Sequence, residues 1–145
     1  MPPALPFLEF AVAWCDEDIQ EIVISASSGK LSAQVNVYGD VYELTRVAES
    51  LHGFPSSKTD CREVELGQDG LSGYGSVRIK VICTDSTGHI AFEVSLRSFP
   101  AQESARPESA VVVVPAAVGD LDRFVEHLRA ANYQEGATAV LRSAA

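Results

Sequence analysis

The 145-residue chain is 46% hydrophobic and carries a formal net charge of −9. That length supports one domain, residues 1–145, with a core that needs no disulfide or metal staple, and the apolar content excludes a disordered acidic tail. The charge disfavours nucleic acid and anionic membrane as partners, and no apolar run approaches the roughly 18 residues of a membrane-spanning helix.

In chain order, Leu8, Phe10, Val12 and Trp14 alternate across residues 5–14, the two-residue period of a half-buried strand with Trp14 on the core side. Asp16, Glu17 and Asp18 end it, because three successive carboxylates would put one into the core. Residues 19–38 predict a hairpin, with Ile22, Ile24 and Ala26 on one arm and Leu31, Ala33, Val35 and Val37 on the other. A two-residue turn at Ser28-Gly29 would pair Ala26 with Leu31, Ile24 with Ala33 and Ile22 with Val35. Asp40 and Glu43 have capping-box spacing and predict a helix with Val41, Leu44, Val47, Ala48 and Leu51 as its apolar stripe, ended by Gly53 and Pro55.

Residues 59–66 predict a strand with Val64 and Leu66 inward and Glu63 and Glu65 outward. The glycine-rich segment 67–75 is a connector: it leads into a strand and lacks the Lys-Ser or Lys-Thr of a phosphate loop. Residues 76–85 and 89–98 form the clearest hairpin, with Val77, Ile79, Val81 and Cys83 facing Ile90, Phe92, Val94 and Leu96. Its four-residue loop, 85–88, sets Lys80 opposite Glu93 on the outer face. After a loop at 99–108, Val111, Val112, Val113 and Val114 make a strand buried on both faces, or else an edge that pairs with another chain. Asp120 caps a second helix striped by Leu121, Phe124, Val125 and Leu128, and residues 138–141 suit a last short strand.

The expected fold is α+β: a mainly antiparallel sheet of about seven strands with two helices over one face, in the order βββα-ββββα(β). Both halves run several strands and then an Asp-capped helix, without a residue-level repeat.

No motif names a reaction, so no catalytic residue, metal or cofactor is expected. His52, His89 and His127 are far apart and in no ligand spacing. There is no Gly-x-Ser-x-Gly elbow, and Cys15 precedes acids that disfavour its thiolate. Cys15, Cys61 and Cys83 are odd in number and widely spaced, and residues 1–6 lack a secretory signal's pattern, so a cytoplasmic location with reduced thiols is expected.

Charge is the feature that points outside the molecule. Residues 1–70 hold 12 acids against 4 bases, and residues 71–145 hold 8 against 7. Concentrated charge of this kind either solubilises a surface or forms a recognition face for a basic protein. The residues expected to make that contact are Asp16, Glu17, Asp18, Glu21, Glu63 and Glu65, with Trp14 as an aromatic anchor should it be exposed.

Residues 81–90, the hairpin after them, and the late helix Asp120-Leu121-Asp122-Arg123-Phe124 followed by residues 137–141 resemble small acidic, mostly uncharacterised bacterial proteins, among them immunity proteins of polymorphic toxin systems. That resemblance implies a protein without catalysis of its own that binds and blocks a partner; toxin domains acting on nucleic acid are often basic, which suits an acidic blocker. The alternatives are a homo-oligomer assembled through Val111–Val114 and a small-molecule-binding domain with a deep pocket between sheet and helices.

Overall fold

A computed structural model describes residues 5–70, 73–102 and 105–143. Leu71 and Ser72 of the glycine-rich connector, and Glu103 and Ser104 of the loop at 99–108, lie outside the described residues. The strands are β1 (Phe7–Cys15), β2 (Ile19–Ser27), β3 (Ser32–Asp40), β4 (Cys61–Gly67), β5 (Gly75–Cys83), β6 (His89–Ser98), β7 (Glu108–Ala117) and β8 (Thr138–Arg142). The helices are α1 (Glu43–Leu51), between β3 and β4, and α2 (Val118–Ala131), between β7 and β8. The class is α+β, and the element order is the expected one.

The expected single sheet is corrected to two four-stranded sheets, in the orders β3-β2-β1-β8 and β4-β5-β6-β7. Every described ladder is antiparallel. The chain is therefore two βββαβ runs, β1–β2–β3–α1–β4 and β5–β6–β7–α2–β8. In each, the strand after the helix leaves its own meander and joins the other, beside that meander's first strand. Helix positions are corrected with the sheet count: instead of covering one face, α1 and α2 pack on each other and reach from β8 to β4, while β3 contacts all four strands of the second sheet.

Alternation puts one face of each sheet into a shared core. Leu8, Phe10, Ile22, Ile24 and Val37 come from the first sheet, Ile79, Phe92, Val94 and Val114 from the second, and Leu44, Leu51, Leu121 and Phe124 from the helices. Phe10 and Phe124 meet edge to face at 5.7 Å. Where β3 packs on the start of β5, only glycine fits: a Cβ on Gly75 would lie 2.8 Å from both the Arg97 carbonyl oxygen and the Val35 Cβ.

Several local expectations change. The β2–β3 turn has four residues, not two: the Ser28 N–H donates to the Leu31 carbonyl at 2.9 Å, and Gly29 takes φ +92°. The register moves by two, to Ala26 with Ala33, Ile24 with Val35 and Ile22 with Val37, so every side chain keeps its face and Leu31 is left exposed. Trp14 is not in the core. The β1–β2 register shifts between Val12 and Trp14, which turns the indole outward and leaves it 42% exposed. The hairpin of β5 and β6 keeps its expected register, with Lys80 opposite Glu93.

Neither aspartate acts as the expected N-cap. Asp40 ends β3 and accepts the Tyr42 N–H at 2.8 Å in the turn before α1. Asp120 lies within the first turn of α2, accepting the Ala117 N–H at 2.8 Å and pairing with Arg123 at 2.6 Å. The start of α1 is served from the far end of the chain: Asn132 Oδ1 accepts the Leu44 N–H at 3.0 Å, and Asn132 Nδ2 donates to the Val41 carbonyl at 2.8 Å. Buried Gln20 completes this node, donating to Asn132 Oδ1 and the Asp40 carbonyl and accepting the Tyr133 N–H at 3.0 Å. No buried side-chain polar atom among the described residues lacks a partner.

Candidate partner interface

The turn between β1 and β2 carries Asp16, Glu17 and Asp18, all exposed. Asp16 organises it by accepting the N–H groups of Asp18 (2.8 Å) and Ile19 (2.9 Å), and these bonds hold its carboxyl below the ordinary range. The loop between α2 and β8 meets the turn from the other side. Glu135 Oε1 accepts the Cys15 N–H at 3.1 Å, and the Tyr133 hydroxyl donates to the Asp16 carbonyl. Tyr133 keeps a left-handed backbone, φ 58°, with its N–H on Gln20 and its hydroxyl on Asp16. Burial, and then the charges of Glu135 and Asp16, push the Cys15 thiol up. No Lys or Arg among the described residues forms an ion pair with Asp16, Glu17, Asp18 or Glu135.

Next to this turn an aromatic row crosses the outer face of the first sheet. Glu21 stands opposite Trp14 on one side and Tyr38 on the other. The Trp14 and Tyr38 rings meet edge to face at 6.3 Å, and Tyr38 meets Tyr74 at 4.4 Å. Burial, the hydrogen bond with Tyr74 and the charge of Glu21 push the Tyr38 phenol up to about 12, so it is neutral at physiological pH. Trp14 thus offers an indole beside carboxylates.

The other expected contact residues are elsewhere. Glu63 and Glu65 project from β4, in the second sheet, whereas Asp16–Glu21 belong to the β1–β2 hairpin of the first. Their charge is offset by the C-terminal half: Glu63 lies opposite Lys80, and Arg78 reaches Glu65 at 3.0 Å. Nearby, Arg62 pairs with Asp60 at 3.0 Å and Arg97 with Asp69 at 2.9 Å. The sequence's one-sided charge is therefore partly cancelled across β4 and β5, but not at the β1–β2 turn. A groove of about 330 Å³ lies here, lined by Glu65, Gln68, Asp69, Arg78, Ser95 and Arg97.

Among the described residues, no three His, Cys, Asp or Glu side chains are grouped to hold a metal ion, the cysteines are free, and no helix is long and apolar enough to cross a membrane. Cys83 packs against the core and His127 is exposed on α2. At the other end of the second sheet, Asp85 fixes the β5–β6 turn by accepting from Thr87 and His89, His89 Nδ1 lying 2.5 Å away. Sequence reasoning missed Glu135, Tyr133, Tyr38 and Tyr74; all but Tyr38 reach the site through contacts more than 35 residues away in sequence. No family model, characterised protein or solved structure matches the chain.

Proposed function

We propose that this chain is a non-enzymatic binding protein that docks on a basic protein and occludes it, as an immunity-type inhibitor occludes a basic toxin. The observation that carries the reading is the uncompensated acidic turn, Asp16, Glu17 and Asp18, standing with Glu135 and Glu21 beside the exposed indole of Trp14. Carboxylates without internal cations keep their field for an incoming partner, which speeds encounter. A half-exposed Trp beside them supplies apolar contact area and a face for an arginine or lysine of that partner. Glu63 and Glu65, already shared with Lys80 and Arg78, take a secondary part.

The test is affinity capture from the native host with the wild-type chain and with Asp16→Lys/Glu17→Lys/Asp18→Lys, at low and high salt. A basic protein retained by the wild type, released by salt and lost by the triple variant is the expected result. The purified pair should then associate about tenfold or more slowly after charge reversal at low salt. A captured set indifferent to both salt and charge reversal refutes the reading.

A second surface has its own support. We propose that the free edge of β7, Val111 to Val114, takes a second copy of this chain. β7 ends the second sheet, and Val111 and Val113 are 61% and 47% exposed on it while Val112 and Val114 are buried. Sedimentation over a range of concentrations tests it, and a monomer throughout removes it.

A further inference from the structure

The backbone of β7 limits how two such edges can meet. The Val118 N–H, just past the strand, donates to the Gly88 carbonyl at 3.0 Å, on the β6 side. Strand parity then turns the N–H and C=O groups of Ser109, Val111 and Val113 away from β6, to the side where no strand lies among the described residues. Pro115 falls on the same parity, so its missing N–H is lost from the free edge and not from the β6 ladder. Long edges are usually blunted by charge, a bulge or a cover. Here residues 109–117 carry no charge, and Pro115 is the single blocking feature.

We infer that two copies pair antiparallel about a two-fold axis through Val112. This register rests on the β7 pairing proposed as the second surface. It sets Val111 of one copy opposite Val113 of the other, twice, so the four exposed valines cover each other and their free N–H and C=O groups bond reciprocally. It sets Pro115 opposite Ser109, where only the proline carbonyl is asked to bond. Charge selects it too. Glu108 falls opposite Ala116 of the second copy, beside the start of that copy's α2, where the helix N-terminus favours a carboxylate and Arg123, paired with Asp120 but 59% exposed, keeps donors for a second one. Parity agrees: Glu108 and Ala116 share the inward parity of Val112 and Val114, the side of the sheet on which α2 packs.

Two measurements test pairing and register separately. Sedimentation equilibrium of the full chain should show a dimer at high micromolar concentration. Val111→Lys, at a site exposed enough to leave the fold intact, should weaken that dimer at least tenfold, and Val113→Lys is the second variant should the first unfold. A monomeric wild type, or a dimer unmoved by both lysines, overturns the pairing. For the register, Glu108→Cys protein is mixed with Ala116→Cys protein under mild oxidation, each alone serving as the control for the native cysteines. Positions 108 and 116 are a non-hydrogen-bonded pair in this register, the closer kind, which suits a disulfide. A cross-linked dimer from the mixture but from neither control supports the two-fold at Val112. A lysine-sensitive dimer that gives no such cross-link overturns the register and leaves the pairing standing.

Discussion

Replacing Asn132 by alanine should destabilise the protein far more than its half-buried position suggests. One side chain caps the first turn of α1 through the Leu44 N–H, binds the Val41 carbonyl and accepts from buried Gln20. Loss of the cap costs about 1 kcal/mol. Leaving the Val41 carbonyl and one Gln20 N–H poorly satisfied adds about 1–3 kcal/mol, since the Gln20 amide nitrogen then keeps only its bond to the Asp40 carbonyl. The expected total is about 2–4 kcal/mol, a large part of the roughly 5–15 kcal/mol that holds a domain together. For a chain of this size that lowers Tm by about 5–15 °C. Urea and thermal unfolding measure it, and Asn132→Asp, which keeps the acceptor for Leu44 and Gln20 but sets a carboxylate oxygen against the Val41 carbonyl, should not recover the loss. In a Gln20→Leu background the Asn132→Ala cost should shrink by at least about 0.5 kcal/mol, the sign of a shared network. A single-variant loss below about 1 kcal/mol, or strict additivity with Gln20→Leu, refutes the node as a joint.

Other outcomes follow from the same structure. Backbone N–H groups hold Asp16, Asp60 and Asp85 below the ordinary carboxylate range, and Arg46 with the Tyr42 N–H does the same for Asp40. A lowered folded pKa gives stability that is present above the unfolded value, near 4, and is lost as pH falls through the folded one, so Tm should hold from pH 7 to about 5 and fall below about 4. Burial raises Glu43, which acts in the opposite sense, its contribution being lost as pH rises through its folded pKa; one such group against four leaves net acid destabilisation. Asp85→Asn should flatten the acid limb, and an unchanged Tm profile would remove Asp85 from the account. Gly75→Ala should cost about 1–3 kcal/mol by forcing β3 off β5, read by chemical denaturation, and a neutral result would mean that the two strands can part freely. Trp14→Ala should cost about 1 kcal/mol against about 3–5 kcal/mol for the fully buried Phe124→Ala; equal losses would return Trp14 to the core.

What could be read from the sequence was whatever local contacts decide. The β5–β6 hairpin kept its register because both arms alternate cleanly and the loop length leaves one pairing, which fixed Lys80 against Glu93. The helix stripes held at Leu44, Val47, Ala48 and Leu51, with Val41 left in the turn before α1, and at Leu121, Phe124, Val125 and Leu128. The division into two sheets was not legible, because it depends on β4 and β8 crossing between meanders, and no periodicity records which first strand a later one will join. The cap of α1 failed for a related reason: Asp40 has cap chemistry in sequence, but Asn132 reaches α1 from 88 residues away, whereas Asp120 does hold the start of α2, from its first turn instead of the N-cap position. Trp14 obeyed the alternation pattern and escaped it through a bulge, which residue types alone do not announce. At the candidate interface the acidic turn was visible. Its lack of internal cations was not, since Arg78, Lys80 and Arg97 lie on the other sheet and neutralise a different set of acids.

The exchange of final strands makes the topology a closed ring. β8 runs antiparallel beside β1 just as β4 runs beside β5, and Phe7 lies opposite Arg142. A short turn joining Arg142 to Phe7 would therefore copy the link from β4 to β5, and that link could be opened in its place. Such a circular permutant should fold to the same molecule and melt near the parent. Either βββαβ run expressed alone has a bare flank on its meander and a stray fourth strand, so two copies of one run have a ready route to assemble in the parent's image.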